Sequence, residues 1–255
     1  MHGVVSARSV ARAEPGARAS AGGSVRSTGS TAATRGGGPS WRRLTALALI
    51  TLGLSMPVRA WEPERLMQQA ARAGGQALHL AQQLVDVVAQ AGRTDEEQRL
   101  VVMNQFFNRR ILFRDDIEVW GQVDHWASPV EVFARGQGDC EDYAIGKYFS
   151  LIAAGVAPVK LRLVYVKAVI GGQGGVQQAH MVLAYYATPN ADPLILDNLI
   201  GDIRPASRRP DLTPVFSFNA DGIWQGTQGA GVGDAVARLS RWREILVKAR
   251  EQGFL

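Results

Sequence analysis

The chain has 255 residues, with 28 Lys and Arg against 23 Asp and Glu, a formal net charge of +5. The excess sits at one end: residues 1–60 hold eight Arg and one Glu, and setting these aside leaves 20 basic and 22 acidic residues in 61–255, a net of −2. A nucleic-acid partner thereby loses its electrostatic support, and the single cysteine, Cys140, excludes an internal disulfide.

Residues 1–40 are rich in Ala, Gly, Ser and Arg without an apolar period, a composition that cannot bury enough surface to offset its ordering entropy. They read as a disordered arm or the result of a misplaced start. Trp41-Arg42-Arg43, a weakly polar to apolar run from Leu44 to Met56, and Val58-Arg59-Ala60 follow. A charged start, a short apolar middle and a small-residue end read as a secretory signal over 41–60. The run falls short of the about 20 residues of a comfortable membrane span. The remaining 61–255 are long enough for one domain with its own core.

Within 63–91, Leu66, Ala70, Ala73, Ala77, Leu80, Leu84, Val87 and Val88 recur at helical spacing, giving one helix or two broken at Gly74-Gly75. Thr94-Asp95-Glu96-Glu97 looks like a capping box, with Thr94 as N-cap and Glu97 three residues on. It opens a helix to about Arg109. Residues 111–127 are irregular and aromatic-rich, and Pro129 opens a short helix through Phe133. Gly136-Gln137-Gly138 breaks the chain before Asp139-Cys140-Glu141-Asp142-Tyr143-Ala144, which leads into a helical run ended by Gly155.

The period then changes from helical to alternating. Residues 161–166 and 179–186 read as a hairpin around the glycine-rich turn 171–175, and 194–198 as a third strand. A short strand and turn in 213–226 and an amphipathic helix over 234–250 close the chain. Helices first and a mainly antiparallel sheet second define an α+β domain.

Cys140 lies where a glycine-rich turn meets a helix N-terminus. Free N–H groups and the helix dipole there stabilise a thiolate and can bind an oxyanion. A thiol nucleophile also needs a base, and the base an orienting acceptor. His79 falls in the first helical region among Leu and Gln and reads as a surface or packing residue, while His125 lies in the aromatic loop. His180 begins an otherwise apolar strand and Asp197 ends the next one. Polar groups at such positions are costly unless paired, and adjacent strands bring the two within reach. Cys140, His180 and Asp197 are therefore the candidate triad.

Asp139, Glu141 and Asp142 place three carboxylates around Cys140. Acids in a first turn also compensate the helix dipole, but three anions beside a thiol oppose its ionisation unless a cation offsets them, and calcium accepts several carboxylate oxygens. Asp115-Asp116 reads as a solvated turn, with a second acidic ligand pair as the alternative, Trp120 as a packing residue and Asn198 as a strand-end residue.

The runs Asp124-His125-Trp126-Ala127-Ser128-Pro129, Gly138-Asp139-Cys140-Glu141-Asp142-Tyr143-Ala144, Ala179-His180-Met181-Val182-Leu183 and Ile195-Leu196-Asp197-Asn198 resemble the bacterial transglutaminase-like cysteine proteases of the LapG type. The similarity spans essentially all of 95–226. The resemblance implies an α+β fold of the papain- or transglutaminase-like kind, and a periplasmic, calcium-dependent endopeptidase that clips the N-terminal region of a large repeat adhesin and so releases biofilm cells. It further implies sequestration by an inner-membrane cyclic di-GMP receptor, for which Trp126 is the candidate contact. On the resemblance Cys140 is nucleophile, His180 base and Asp197 orienter, with calcium held by Asp139, Glu141 and Asp142. The alternatives are a transglutaminase-type acyltransferase, which shares the triad, and a non-catalytic periplasmic binding module, which would have no need of an unpaired thiol.

Overall fold

The computed structural model describes residues 61–172, 174–227 and 231–255. The expected arm and signal, 1–60, lie outside the described residues. No helix among the described residues is long and apolar enough to cross a membrane.

The first helical region is two helices, α1 (Pro63–Ala73) and α2 (Gly75–Ala91), divided at Gly74, whose φ of 123° is open to glycine and strained for other residues. The next helix, α3 (Glu96–Arg110), is capped by Asp95 rather than Thr94: the Gln98 N–H donates to Asp95 Oδ1 at 2.8 Å. The Thr94 hydroxyl instead turns back to the Ala91 carbonyl, also at 2.8 Å. Both residues are good caps, and the hydroxyl finds its partner in the turn that precedes the helix.

The stretch expected to be irregular contains β1 (Leu112–Phe113) and a one-turn helix α4 (Asp116–Val119). A capping box of Ser128 and Glu131 then starts α5 (Pro129–Arg135), which ends on left-handed Gly136. Strand β2 (Gln137–Gly138) pairs in parallel with β1, Leu112 opposite Gln137. This small pairing sets the chain entering α4 beside the chain entering α6 (Cys140–Ala153). Residues 141–151 of α6 are buried without interruption, as expected of a helix packed on all sides.

The main sheet is antiparallel, in the order β6-β5-β4-β3-β7-β8. Its strands are β3 (Leu161–Ile170), β4 (Val176–Tyr185), β5 (Leu194–Leu196), β6 (Arg204–Pro205), β7 (Leu212–Phe218) and β8 (Ile223–Gln225). The hairpin is longer than its apolar runs suggest. Residues 167–170 and 176–179 are mostly exposed, yet they continue the ladder. Alternation gives the sheet two buried faces. Leu161, Leu163, Met181, Leu183 and Leu196 join the main core with α6, and Val164, Val166, Val182, Ala184 and Ile195 form a smaller cluster. The closing helical region is split into α7 (Ala235–Arg238) and α8 (Ser240–Glu251). Trp242 of α8 is fully buried and stacks on Phe149 of α6 at 5.8 Å.

Candidate active site and metal-binding cluster

Cys140 is the first residue of α6, after N-cap Asp139. The helix lies against β4, and Cys140 packs against the core that includes Met181, the neighbour of His180. His180 is buried, and its Nε2 is 2.8 Å from Asp197 Oδ1. That contact uses Nε2 and leaves Nδ1 as the ring nitrogen available to the thiol. Asp197, immediately after β5, also accepts the Leu199 N–H at 3.1 Å and Arg209 Nη2 at 2.8 Å. Burial alone would raise its pKa, but the hydrogen bond and charge of His180, the Leu199 amide and Arg209 outweigh burial and hold it near 2. The sheet therefore carries a buried His180–Asp197 pair in which the acid is held ionised. His180 stands within β4, not at its start as its apolar neighbours suggest.

Around Cys140 the electrostatics run the other way. The thiol lies 3.1 Å from Glu141 Oε2. Burial and the charges of Glu141 and Asp139 push its pKa well up, only partly countered by the Met181 amide. Asp139, Glu141 and Asp142 are raised as well, with burial the first cause of each; charge from neighbouring acids adds to it, chiefly Glu141 for Asp139, Asp142 for Glu141 and Asp139 for Asp142.

Asp116 completes the cluster. It is 4% exposed, not part of a solvated turn, and burial raises its pKa. The β1–β2 pairing carries it to Asp139 and Asp142, and the three carboxylates offer oxygens within 4.8 Å of one another. Asp139 also forms a second group, with Cys140 and Glu141, at the same limit. Each of the three aspartates has one buried oxygen without a hydrogen-bond partner: Asp116 Oδ1, Asp139 Oδ1 and Asp142 Oδ2. The remaining Asp116 and Asp142 oxygens accept main-chain N–H groups, from His125 and from Ala127 at 2.8 Å. Gly138 leaves the room this needs, since a Cβ there would fall 2.6 Å from Asp142 Oδ2. Orphaned buried carboxylates are costly. Three that converge fit a hard cation taking oxygen ligands.

The sequence favours a solvated turn for Asp116 over its alternative as one of an acidic ligand pair, and the structure reverses that preference. Its signal was the Asp115-Asp116 pair, but nothing in a linear reading joins it to Asp139 until β1 and β2 are paired. His125 stacks on Trp120 with ring centroids 4.5 Å apart, and its Nε2 is buried without a partner. It borders the cluster through its amide rather than its ring. His79 is exposed on α2 against Gln83. Trp120 is half-buried against the core, with Arg135 over its ring. Asn198 Oδ1 is buried without a partner, although the residue reads as a strand end. Trp126 is half-buried, stacked on Phe218 at 5.7 Å, and its Nε1–H donates to Asp124.

Helices followed by an antiparallel sheet, with a thiol at a helix N-terminus and a buried His–Asp pair on the sheet side, are the architecture of a transglutaminase-like cysteine proteinase. The chain belongs to the bacterial transglutaminase-like cysteine proteinases (BTLCP), whose family model matches residues 81–211. Its fold is similar to that of LapG from Legionella pneumophila. The EGTA-treated form is 36% identical, aligns over 73% of this chain and 97% of that one, and gives a TM-score of 0.65. The calcium-bound form is also 36% identical, over 73% and 98% of the two chains, with a TM-score of 0.64. No curated protein shows a significant match to the chain.

Proposed function

We propose that the chain is an exported, calcium-dependent cysteine endopeptidase acting in the periplasm on the N-terminal region of a large cell-surface adhesin. Cys140 is the nucleophile, His180 the base and Asp197 its orienter. One observation carries the reading: Cys140 starts the helix that packs on β4, against the core that includes Met181, while the adjacent His180 is fixed through Nε2 by Asp197. The substrate, the compartment and a role in biofilm dispersal follow from the resemblance to the LapG type. So does inhibition by an inner-membrane cyclic di-GMP receptor that covers Trp126.

In the reaction the thiol proton passes to His180 Nδ1, and the sulfur attacks the scissile carbonyl carbon. The oxyanion gains the Cys140 N–H, a helix-start donor without an intrahelical partner. His180 returns the proton to the amine as the C–N bond breaks, leaving a thioester. Water, deprotonated by the same ring, then hydrolyses it. Asp197 stays ionised throughout and holds the imidazolium as it forms. Asp116, Asp139 and Asp142 would hold calcium, and Glu141, 3.1 Å from the sulfur, shares the Asp139 side of the cluster. When bound, the ion supplies the positive charge that lets the thiol ionise beside these acids. The similarity to a calcium-bound LapG supports that choice of ion.

The test is cleavage of the N-terminal region of a large surface adhesin encoded in the same genome. Wild-type protein with calcium should cut it, and Cys140→Ser and His180→Ala should not, although both remain folded. Cutting by Cys140→Ser at the wild-type rate would end the proposal.

A further inference from the structure

The orienting acid is itself held. Arg209 is buried, 4% exposed, at the end of the short turn Ala206–Arg208. Its Nη2 donates to Asp197 Oδ2 at 2.8 Å and to Asp211 Oδ2 at 2.7 Å, while Nε donates to Asp211 Oδ1 at 3.0 Å. The two oxygens of Asp197 are thus divided. Oδ1 serves His180 and the Leu199 amide, and Oδ2 serves Arg209. The arginine's own backbone is fixed on both sides: its N–H donates to the Ala206 carbonyl, and its carbonyl accepts the Leu212 N–H at the start of β7. Asp211 is tied to the hairpin by the Val169 N–H, which donates to its carbonyl.

We infer that Arg209 is a positioning residue for the proteolytic reaction, gripping Asp197 so that its other oxygen stays on His180 Nε2; this rests on the triad reading above. A carboxylate with one buried oxygen unpaired can rotate to satisfy it, and each rotation would release the imidazole from the orientation that points Nδ1 at the thiol. The planar guanidinium suits the task because it forks two ways, onto Asp197 and in bidentate fashion onto Asp211. Asp211, whose side chain is 40% exposed, anchors the fork from the solvent side. The arginine lies 12 residues beyond Asp197 in sequence and touches neither Cys140 nor His180 through a hydrogen bond among the described residues, so it acts only through the acid.

The experiment measures kcat and KM separately for calcium-loaded full-length Arg209→Ala, Arg209→Lys and Asp197→Asn, and for Arg209→Ala combined with Asp197→Asn. Arg209→Ala should lower kcat by about thirty-fold or more with KM within about threefold, and millimolar guanidinium should restore part of the loss. In the Asp197→Asn background the same change should cost less than about threefold, since the group it acts through is already altered. Wild-type kcat in Arg209→Ala together with a large loss in Asp197→Asn would overturn the positioning role and leave the triad standing. Wild-type kcat in Asp197→Asn would instead overturn the triad reading. If Arg209→Ala does not fold, Arg209→Lys decides: a single ammonium cannot keep both contacts, so kcat should fall at least about fivefold with KM steady, and an unchanged kcat would reject the inference.

Discussion

The Cys140 thiol donates toward the Glu141 carboxylate, Sγ to Oε2 3.1 Å. In that geometry the neighbouring acid stabilises the protonated sulfur, opposite to what a nucleophile requires. A cation on the adjoining carboxylates draws the negative charge away and reverses the bias. We expect iodoacetamide to modify Cys140 at pH 7 at least about tenfold faster with calcium than with EGTA, because only the thiolate reacts. Equal rates in the two conditions would show that the acids do not govern the thiol.

Asp116 gives a test with two signs. Without metal, Asp116, Asp139 and Asp142 hold one unpaired buried oxygen each, so Asp116→Asn should raise the melting temperature of EGTA-treated protein by relieving repulsion. With calcium it should do the reverse. At 100 times Kd a ligand adds about 2.7 kcal/mol to stability, several degrees for a domain of this size, and Asp116→Asn should lose most of that increment. Thermal melts with and without calcium read both effects. A variant that keeps the full calcium shift would remove Asp116 from the site.

The relation between sequence and structure differs along the chain for physical reasons. The Cys140 turn, the His180 strand and Asp197 were legible because each couples a polar residue to a strong local pattern, a glycine break or an apolar run. The division of α1 from α2 was legible at Gly74-Gly75 for the same reason. Asp116 was not, because its burial is created by two-residue strands too short to show a period. Arg209 is not legible either, because an arginine in a polar loop looks solvated, and only the return of the chain beside β5 buries it. The ends of β3 and β4 also ran past their apolar residues, since ladder hydrogen bonds continue where side chains face water.

Lys147 lies on α6, buried at 1% exposure, with its ammonium 5.6 Å from the Tyr143 ring centroid. Burial lowers its pKa from 10.5 to about 7, partly opposed by the charge of Asp197. Between those values the unfolded chain holds a proton the folded one has lost, so stability rises with pH across about 7 to 10.5. Lys147→Met should therefore be more stable than wild type at pH 6.5, by about 2–4 kcal/mol. The gain should shrink as pH approaches 10. Urea midpoints at pH 6.5 and 9.5 measure it, and a difference independent of pH would contradict the burial of a charge.

Trp126 presents part of its indole to solvent beside Val123, which is 78% exposed. A half-buried Trp next to an exposed aliphatic residue makes an economical anchor for a partner. If the proposed cyclic di-GMP receptor covers this face, Trp126→Glu should weaken its binding at least about tenfold while leaving peptide cleavage within about twofold of wild type. Unchanged receptor affinity would place the contact elsewhere.

Gly146 tests the packing that aims α6. An interior helical Gly→Ala change normally stabilises by about 1 kcal/mol. Here the new Cβ would fall 2.3 Å from Cε1 and 2.7 Å from Cζ of Phe107 on α3. Phe107 cannot swing aside. It is fully buried, edge-on to Phe106 at 5.2 Å and stacked on Phe133 at 6.1 Å. Overpacking of this kind costs about 1–3 kcal/mol, so the two effects oppose and the steric one should prevail. Gly146→Ala should lower the urea midpoint and, because α6 carries Cys140 at its start, reduce the rate of cleavage as well. Phe107→Leu in the same chain removes the ring from the path of the Cβ. The double variant should therefore recover stability relative to the sum of the two single changes, a coupling expected only between residues in contact. A Gly146→Ala protein more stable than wild type would mean that α3 and α6 do not approach through this glycine.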